Sequence, residues 1–235
     1  MEKSCSTMEK PCNYAIFDFD GTVVSRNTGS VFYQWMAKHS LVRVIALTFC
    51  LPILVPLRIF AFFTNSPLAQ SLGLNIVCLV STSFLKIPLF RLRRRFIAYY
   101  FSCGGAKVHP QAIDRIRHHQ QQGDTVVIIS GCPHWILHGV ARHIGIHNAI
   151  LIGSKVDFSW KGLLLKQHCH QKNKVRMALD HGIDLSRCHY GYSDSLTDAA
   201  ILQHCKQVVL VNSNVISSAL LQSQLPVTLS RETWI

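Results

Sequence analysis

Asp18 and Asp20 stand two residues apart at the end of the apolar run Tyr14-Ala15-Ile16-Phe17, and Gly21-Thr22 follows directly. In a β-strand, residues two apart project from the same face, so both carboxylates would leave the strand's carboxyl end together while Gly21 lets the backbone turn. Two like charges this close are costly unless a cation lies between them. A hard divalent ion with oxygen ligands, such as Mg²⁺, suits them. The competing reading is a β-hairpin with Asp20-Gly21 at its turn and Thr22-Val23-Val24 as the return strand. The elements downstream favour the first reading.

Those elements alternate. A helix is expected over 110–122, ended by Gly123, then a buried strand over 125–129 that runs into Ser130-Gly131. A helix over 135–144, a strand over 149–152 and a helix over 172–181 follow. Cys188-His189-Tyr190 then leads into Gly191-Tyr192-Ser193-Asp194-Ser195-Leu196-Thr197-Asp198, and 208–211 is a last strand. Strands alternating with helices predict an α/β fold, a Rossmann-like parallel sheet whose ligands sit beyond the strands' carboxyl ends. Asp18, Ser130 and Asp194 would meet at that edge.

The stretch between the first two strands has another character. Lys and Arg number 24 against 12 acidic residues, a formal charge of +12, which points to an anionic partner. No Asp or Glu lies between Asp20 and Asp114, whereas Lys38, Arg43, Arg58, Lys86, Arg91, Arg93, Arg94 and Arg95 all fall there. Residues 44–57 and 59–85 carry no charge at all. Pro52, Pro56 and Pro67 interrupt these runs, so a re-entrant hairpin or interfacial helices compete with true membrane spans. A helical bundle with a dry interior is the alternative, but a soluble bundle normally mixes both charge signs on its wet face. The expectation is a catalytic core of residues 13–27 plus 105–235, and an inserted helical cap of residues 28–104 that meets an anionic membrane surface. The first ten residues have no apolar signal core, so the catalytic groups are expected to face the cytoplasm, whether the protein is membrane-associated or, alternatively, cytoplasmic. The nine cysteines show no CxxC spacing and read as free thiols. His168-Cys169-His170 matches no common zinc spacing. The arginines are interleaved with apolar runs and no recognition module is visible, so nucleic acid is not an expected partner.

Asp-x-Asp-Gly-Thr at 18–22, Ser-Gly at 130–131, a lysine opening a helix at 174 and Ser-Asp-Ser-x-x-Asp at 193–198 together resemble the motifs of the haloacid dehalogenase (HAD) superfamily. The likeness is to subfamily IB, which contains phosphoserine phosphatase and inserts a helical cap between the first and second motifs. It implies a phosphatase in which Asp18 is the nucleophile, forming an aspartyl-phosphate, and Asp20 is the general acid and base. It also implies Mg²⁺ held by the Asp18 carboxylate, the Asp20 main-chain carbonyl and the Asp194 carboxylate. Thr22, Ser130, Gly131 and Lys174 would bind phosphate, with Lys172 a nearby competitor for the lysine role, and Asp198 would orient Lys174 or a metal-bound water. The last motif departs from the subfamily's usual Gly-Asp-Gly-x-Asn-Asp, since Ser193, Ser195 and Thr197 replace two glycines and the asparagine, but both carboxylates remain. The Gly191–Ser195 string, the Lys174-Val175 pair and the acid-free cap resemble a membrane-associated member of the subfamily. The substrate implied is a phosphorylated lipid such as phosphatidylglycerophosphate. The alternatives are a small phosphorylated metabolite handled by a soluble enzyme, or a catalytically idle membrane adaptor.

Overall fold

The computed structural model describes residues 13–64, 66–83, 88–159, 162–213 and 228–234. Seven strands form one sheet in the order β4-β3-β2-β1-β5-β6-β7. They are β1 (Tyr14–Asp18), β2 (Thr125–Pro133), β3 (Ile150–Ser159), β4 (Gly162–Gln167), β5 (Cys188–Ser193), β6 (Gln207–Val211) and β7 (Thr228–Glu232). All neighbours are parallel except β3 and β4. The central strands are buried on both faces, which is why they read as unbroken apolar runs. Ala15, Phe17, Val126, Ile128, Val209 and Val211 enter one hydrophobic cluster. Ile16, Val127, Ile129, Val208 and Leu210 alternate into the other.

Four helices separate β1 from the rest of the sheet: α1 (Thr28–Lys38), α2 (Leu41–Thr64), α3 (Pro67–Ser81) and α4 (Leu89–Phe101). They are followed by α5 (Pro110–Gln121), α6 (His134–His143), α7 (Lys172–Asp180) and the short α8 (Ala199–Leu202). Packing is continuous across the expected cap boundary. Phe32 and Trp35 of α1 and Leu92, Phe96 and Tyr100 of α4 share one cluster with Phe17 and Ile128 of the sheet. Tyr100 Oη also donates to the Arg26 carbonyl at 2.6 Å and lies 3.0 Å from Thr28 Oγ1, tying the end of the insertion to its beginning.

Two expectations change here. Pro52 and Pro56 do not break the chain, because α2 runs through both. Two of the arginines assigned to a membrane surface serve the fold instead. Arg43 clamps the Ser83 carbonyl at 2.7 Å and the Met36 carbonyl at 3.1 Å, satisfying acceptors at helix ends. Arg93 lies against Gly139 and donates to the Trp135 carbonyl at 3.3 Å. Arg91, Arg94 and Arg95 remain exposed; Lys86 lies outside the described residues.

Candidate active site

β1 lies at the centre of the sheet with β2 and β5 on either side, so the carboxyl ends of three strands adjoin. Asp18 is in register with Ile129, one residue before Ser130, and Asp194 follows the last residue of β5. The first-strand pair therefore faces the second and fourth sequence motifs, as the alternation of elements predicts. Val24 does not head a return strand. It forms isolated bridges with Asp20 and Val108, and Gly21 makes the turn at φ +90°.

Lys174, on the first turn of α7, is buried and donates to Asp18 Oδ1 at 2.5 Å while its ammonium lies 2.6 Å from Asp198 Oδ1. Ser193 Oγ donates to the other Asp198 oxygen at 2.7 Å, fixing that carboxylate. Lys172, two residues earlier, is exposed, so Lys174 is the lysine that α7 brings to the site. Burial opposes the Lys174 charge, but Asp18 and Asp198 outweigh it and hold the ammonium above the ordinary lysine value.

Asp20 takes a different set of partners. Its Oδ1 accepts the Thr28 main-chain N–H at 2.7 Å and its Oδ2 accepts the Ser130 hydroxyl at 2.9 Å. Burial raises its pKa against these hydrogen bonds. The result favours the protonated form that a general acid needs.

Burial likewise raises Asp18 well above the ordinary carboxylate value and pushes Asp194 to about 6. Four carboxylates thus crowd one ammonium in a poorly solvated site. The donor set fits a hard cation: the carboxylates of Asp18 and Asp194 and the main-chain carbonyl of Asp20 are all oxygens. Gly21 leaves room for the Asp194 carboxylate beside it, which a Cβ there would overlap. Among the described residues, no group of three or more His, Cys, Asp or Glu side chains is placed to hold a metal by itself. A cation held by these residues would need a main-chain ligand as well.

The remaining predicted phosphate ligands are distributed unevenly. Gly131 lines a cavity of about 550 Å³ together with Asp18, Asp20, Lys174, Asp194 and Asp198. Thr22 and Ser130 are fully buried behind that wall. Thr22 Oγ1 accepts the Asp194 N–H at 3.0 Å, so it holds the Asp194 loop, a role its spacing did not reveal. Ser130 Oγ accepts the Cys132 N–H at 3.0 Å, and contact with a phosphate requires its hydroxyl to leave Asp20.

The cavity also has walls that motif reading missed. Arg58 of α2 enters it from the cap, and His168 and His170 line it between β4 and α7. The two imidazoles stack with centroids 5.2 Å apart, while Cys169 between them packs into the core. The signal was the i, i+2 spacing, which puts both rings on one side. Burial lowers both histidines, His168 to about 4, so neither is charged at neutral pH.

The haloacid dehalogenase-like hydrolase profile matches residues 15–203, most of the chain and all four motifs. The chain belongs to the haloacid dehalogenase-like hydrolases. The fold of this hydrolase is shared with a Bordetella pertussis protein of unknown function at TM-score 0.68 and 16% identity, covering 93% of this chain and 98% of that one. A phosphoserine phosphohydrolase-like protein from Francisella tularensis superposes at TM-score 0.60 and 12% identity, covering 93% and 94%. A substrate-bound phosphoserine phosphatase gives TM-score 0.57 and 13% identity, with 94% of each chain covered. No curated protein sequence matches the chain.

Proposed function

We propose that this hydrolase is a Mg²⁺-dependent phosphomonoesterase that works through an aspartyl-phosphate and dephosphorylates phosphatidylglycerophosphate to phosphatidylglycerol. In this it resembles phosphatidylglycerophosphatase C. The observation that carries the phosphatase reading is the Asp18–Lys174–Asp198 chain beside a separately held Asp20. Asp18 attacks phosphorus in line, and the ester oxygen leaves as an alkoxide that Asp20 protonates. Asp20 then takes a proton from the water that attacks the aspartyl-phosphate and frees Asp18. Lys174, kept charged by Asp198, stabilises the phosphoryl oxygens as charge develops on them. Bound Mg²⁺ would offset the repulsion between the Asp18 carboxylate and the anionic phosphate.

The cap supports the lipid reading. Its cavity wall contains no carboxylate, and among the described residues its one cation there is Arg58. The bridging phosphodiester of phosphatidylglycerophosphate is a second anion that a guanidinium pairs with well. The other reading, a small metabolite such as phosphoserine, is favoured by the resemblance in fold to phosphoserine phosphatases. A phosphoserine ammonium, however, would find no carboxylate in this cap, and an unpaired buried charge is costly. The apolar exterior of α2 and the exposed Arg91, Arg94 and Arg95 support a location at the cytoplasmic face of the inner membrane.

A phosphate-release screen of lipid and water-soluble phosphomonoesters in detergent micelles tests the assignment. The expected kcat/KM for phosphatidylglycerophosphate exceeds that for phosphoserine by at least roughly 100-fold, about 2.7 kcal/mol of transition-state discrimination. Equal activity or a preference for phosphoserine would overturn the lipid assignment and leave the phosphatase standing.

A further inference from the structure

α2 is inside out for a helix on a soluble protein. Val42, Ile45, Phe49, Ile53, Phe60 and Phe63 recur at helical spacing along one stripe and are each more than half exposed, Phe49 at 80%. Its two charges face the protein: Arg43 bonds to the ends of α1 and α3, and Arg58 enters the catalytic cavity. Its threonine hydroxyls bond back within the helix, Thr48 to the Val44 carbonyl at 3.0 Å and Thr64 to the Phe60 carbonyl at 2.7 Å. The outward surface therefore offers water almost nothing to bond to. A soluble monomer rarely exposes a continuous apolar face of this length.

By length and composition, α2 is the one described helix able to cross a membrane. Its attachments decide otherwise. Leu57 packs near Gly73, and Arg43 clamps Ser83, so α2 runs antiparallel along α3 for most of its length. α3 is in turn fastened to the sheet: Asn75 Oδ1 accepts the Leu165 N–H at 2.8 Å, and Thr82 Oγ1 accepts the Leu163 N–H at 2.7 Å. These bonds satisfy donors of edge strand β4 that have no strand beside them. Residues 43 and 58 lie about 22 Å apart along the helix, yet both are held against the same water-soluble body. A helix crossing the bilayer would drag the edge of the sheet into hydrocarbon, where exposed backbone is not tolerated.

We infer that α2 lies flat in the headgroup–acyl boundary of an anionic bilayer, its outward stripe in lipid and its Arg58 side at the cavity mouth. The occupant is a membrane rather than a second copy of the chain because residues 21–113 carry no acidic group and several exposed arginines. Two such faces would repel one another, whereas anionic headgroups attract both. Arg58 then sits on the element that touches the membrane, so a lipid headgroup enters the cavity while its acyl chains stay in the bilayer. This inference rests on the membrane-bound reading above and not on the choice of substrate.

The test uses the full chain with Cys5, Cys12, Cys50 and Cys103 changed to serine, and single nitroxide labels at positions 42, 45, 49, 53, 60 and 63. The protein is bound to phosphatidylglycerol–phosphatidylcholine vesicles, and label depth is measured by collision with a lipid-soluble and a water-soluble relaxant. Flat docking predicts one shallow depth for all six, about 5–10 Å below the headgroups. A depth maximum near position 53, with positions 42 and 63 shallow on opposite faces, would overturn flat docking and leave membrane association intact. Failure to float with vesicles at low salt, with dimers seen by sedimentation, would overturn both and assign the stripe to a second copy.

Discussion

Asp20 accepts the main-chain N–H of Thr28 at 2.7 Å, so the carboxyl proposed as general acid also holds the first residue of helix α1. Catalysis and attachment of the cap thus meet on one side chain. Asp20→Asn keeps an acceptor for Thr28 but has no proton to give. It is expected to lower kcat by about 10²–10⁴-fold while changing stability by less than about 1 kcal/mol. Asp20→Ala should show the same loss of rate and a further loss of about 1 kcal/mol, because the helix N-terminus loses its acceptor. Phosphate release and thermal unfolding of both variants check this. An Asp20→Asn enzyme within tenfold of wild type would show that the leaving group gets its proton elsewhere.

Lys174 is the only cation within hydrogen-bond reach of the Asp18 and Asp198 carboxylates among the described residues. Lys174→Met leaves two buried carboxylates facing each other, a change expected to cost about 3–5 kcal/mol. Adding Asp198→Asn should recover part of that stability and none of the turnover. If the double variant is no more stable than the single one, the two groups are not coupled as the geometry requires.

Asp194 must lose its proton before it binds a metal, and burial raises it from the ordinary 3.8 to about 6. A folded-state pKa above the unfolded one means that Asp194 contributes stability below about pH 4 and loses it as pH rises through about 6. Mg²⁺ is expected to offset that loss. Its stabilising shift in the unfolding temperature should be small at pH 5, grow through pH 6 and level off above pH 7. EDTA should abolish phosphate release reversibly. A Mg²⁺ shift of equal size from pH 5 to 8 would place the ion elsewhere.

Arg58→Gln removes the one charge that the cap's described residues place in the cavity. The ratio of kcat/KM for phosphatidylglycerophosphate to that for p-nitrophenyl phosphate should fall by about 10–100-fold, the worth of a charge-assisted hydrogen bond. A parallel fall for both substrates would assign Arg58 to the fold.

Much of this site is legible in the residues themselves. The carboxylates sit beside buried strands whose two-sided burial makes Ile16-Phe17 and Val127-Ile128-Ile129 read as apolar runs. Parallel pairing of those runs then brings their carboxyl ends together without further information. β4 and β7 were not legible. β4 is an edge strand whose donors are satisfied by Asn75 and Thr82 from the cap, about 90 and 81 residues away. β7 holds only exposed and half-buried residues and no apolar run, because it has a neighbour on one side only among the described residues. Thr22's hold on the Asp194 loop was not legible either: its hydroxyl looks the same in the sequence whether it meets phosphate or the backbone of Asp194. Arg58 and the His168–His170 pair escaped because separate elements contribute them to one cavity.

The central claim is that Asp18 carries the phosphoryl group, and the most direct measurement is acid quench of the enzyme during turnover of ³²P-labelled phosphatidylglycerophosphate in mixed micelles with Mg²⁺. The account predicts protein-bound label that hydroxylamine releases, that maps to the peptide containing Asp18, and that is absent from a folded Asp18→Asn variant with no phosphate release. Substantial phosphate release by folded Asp18→Asn would contradict it.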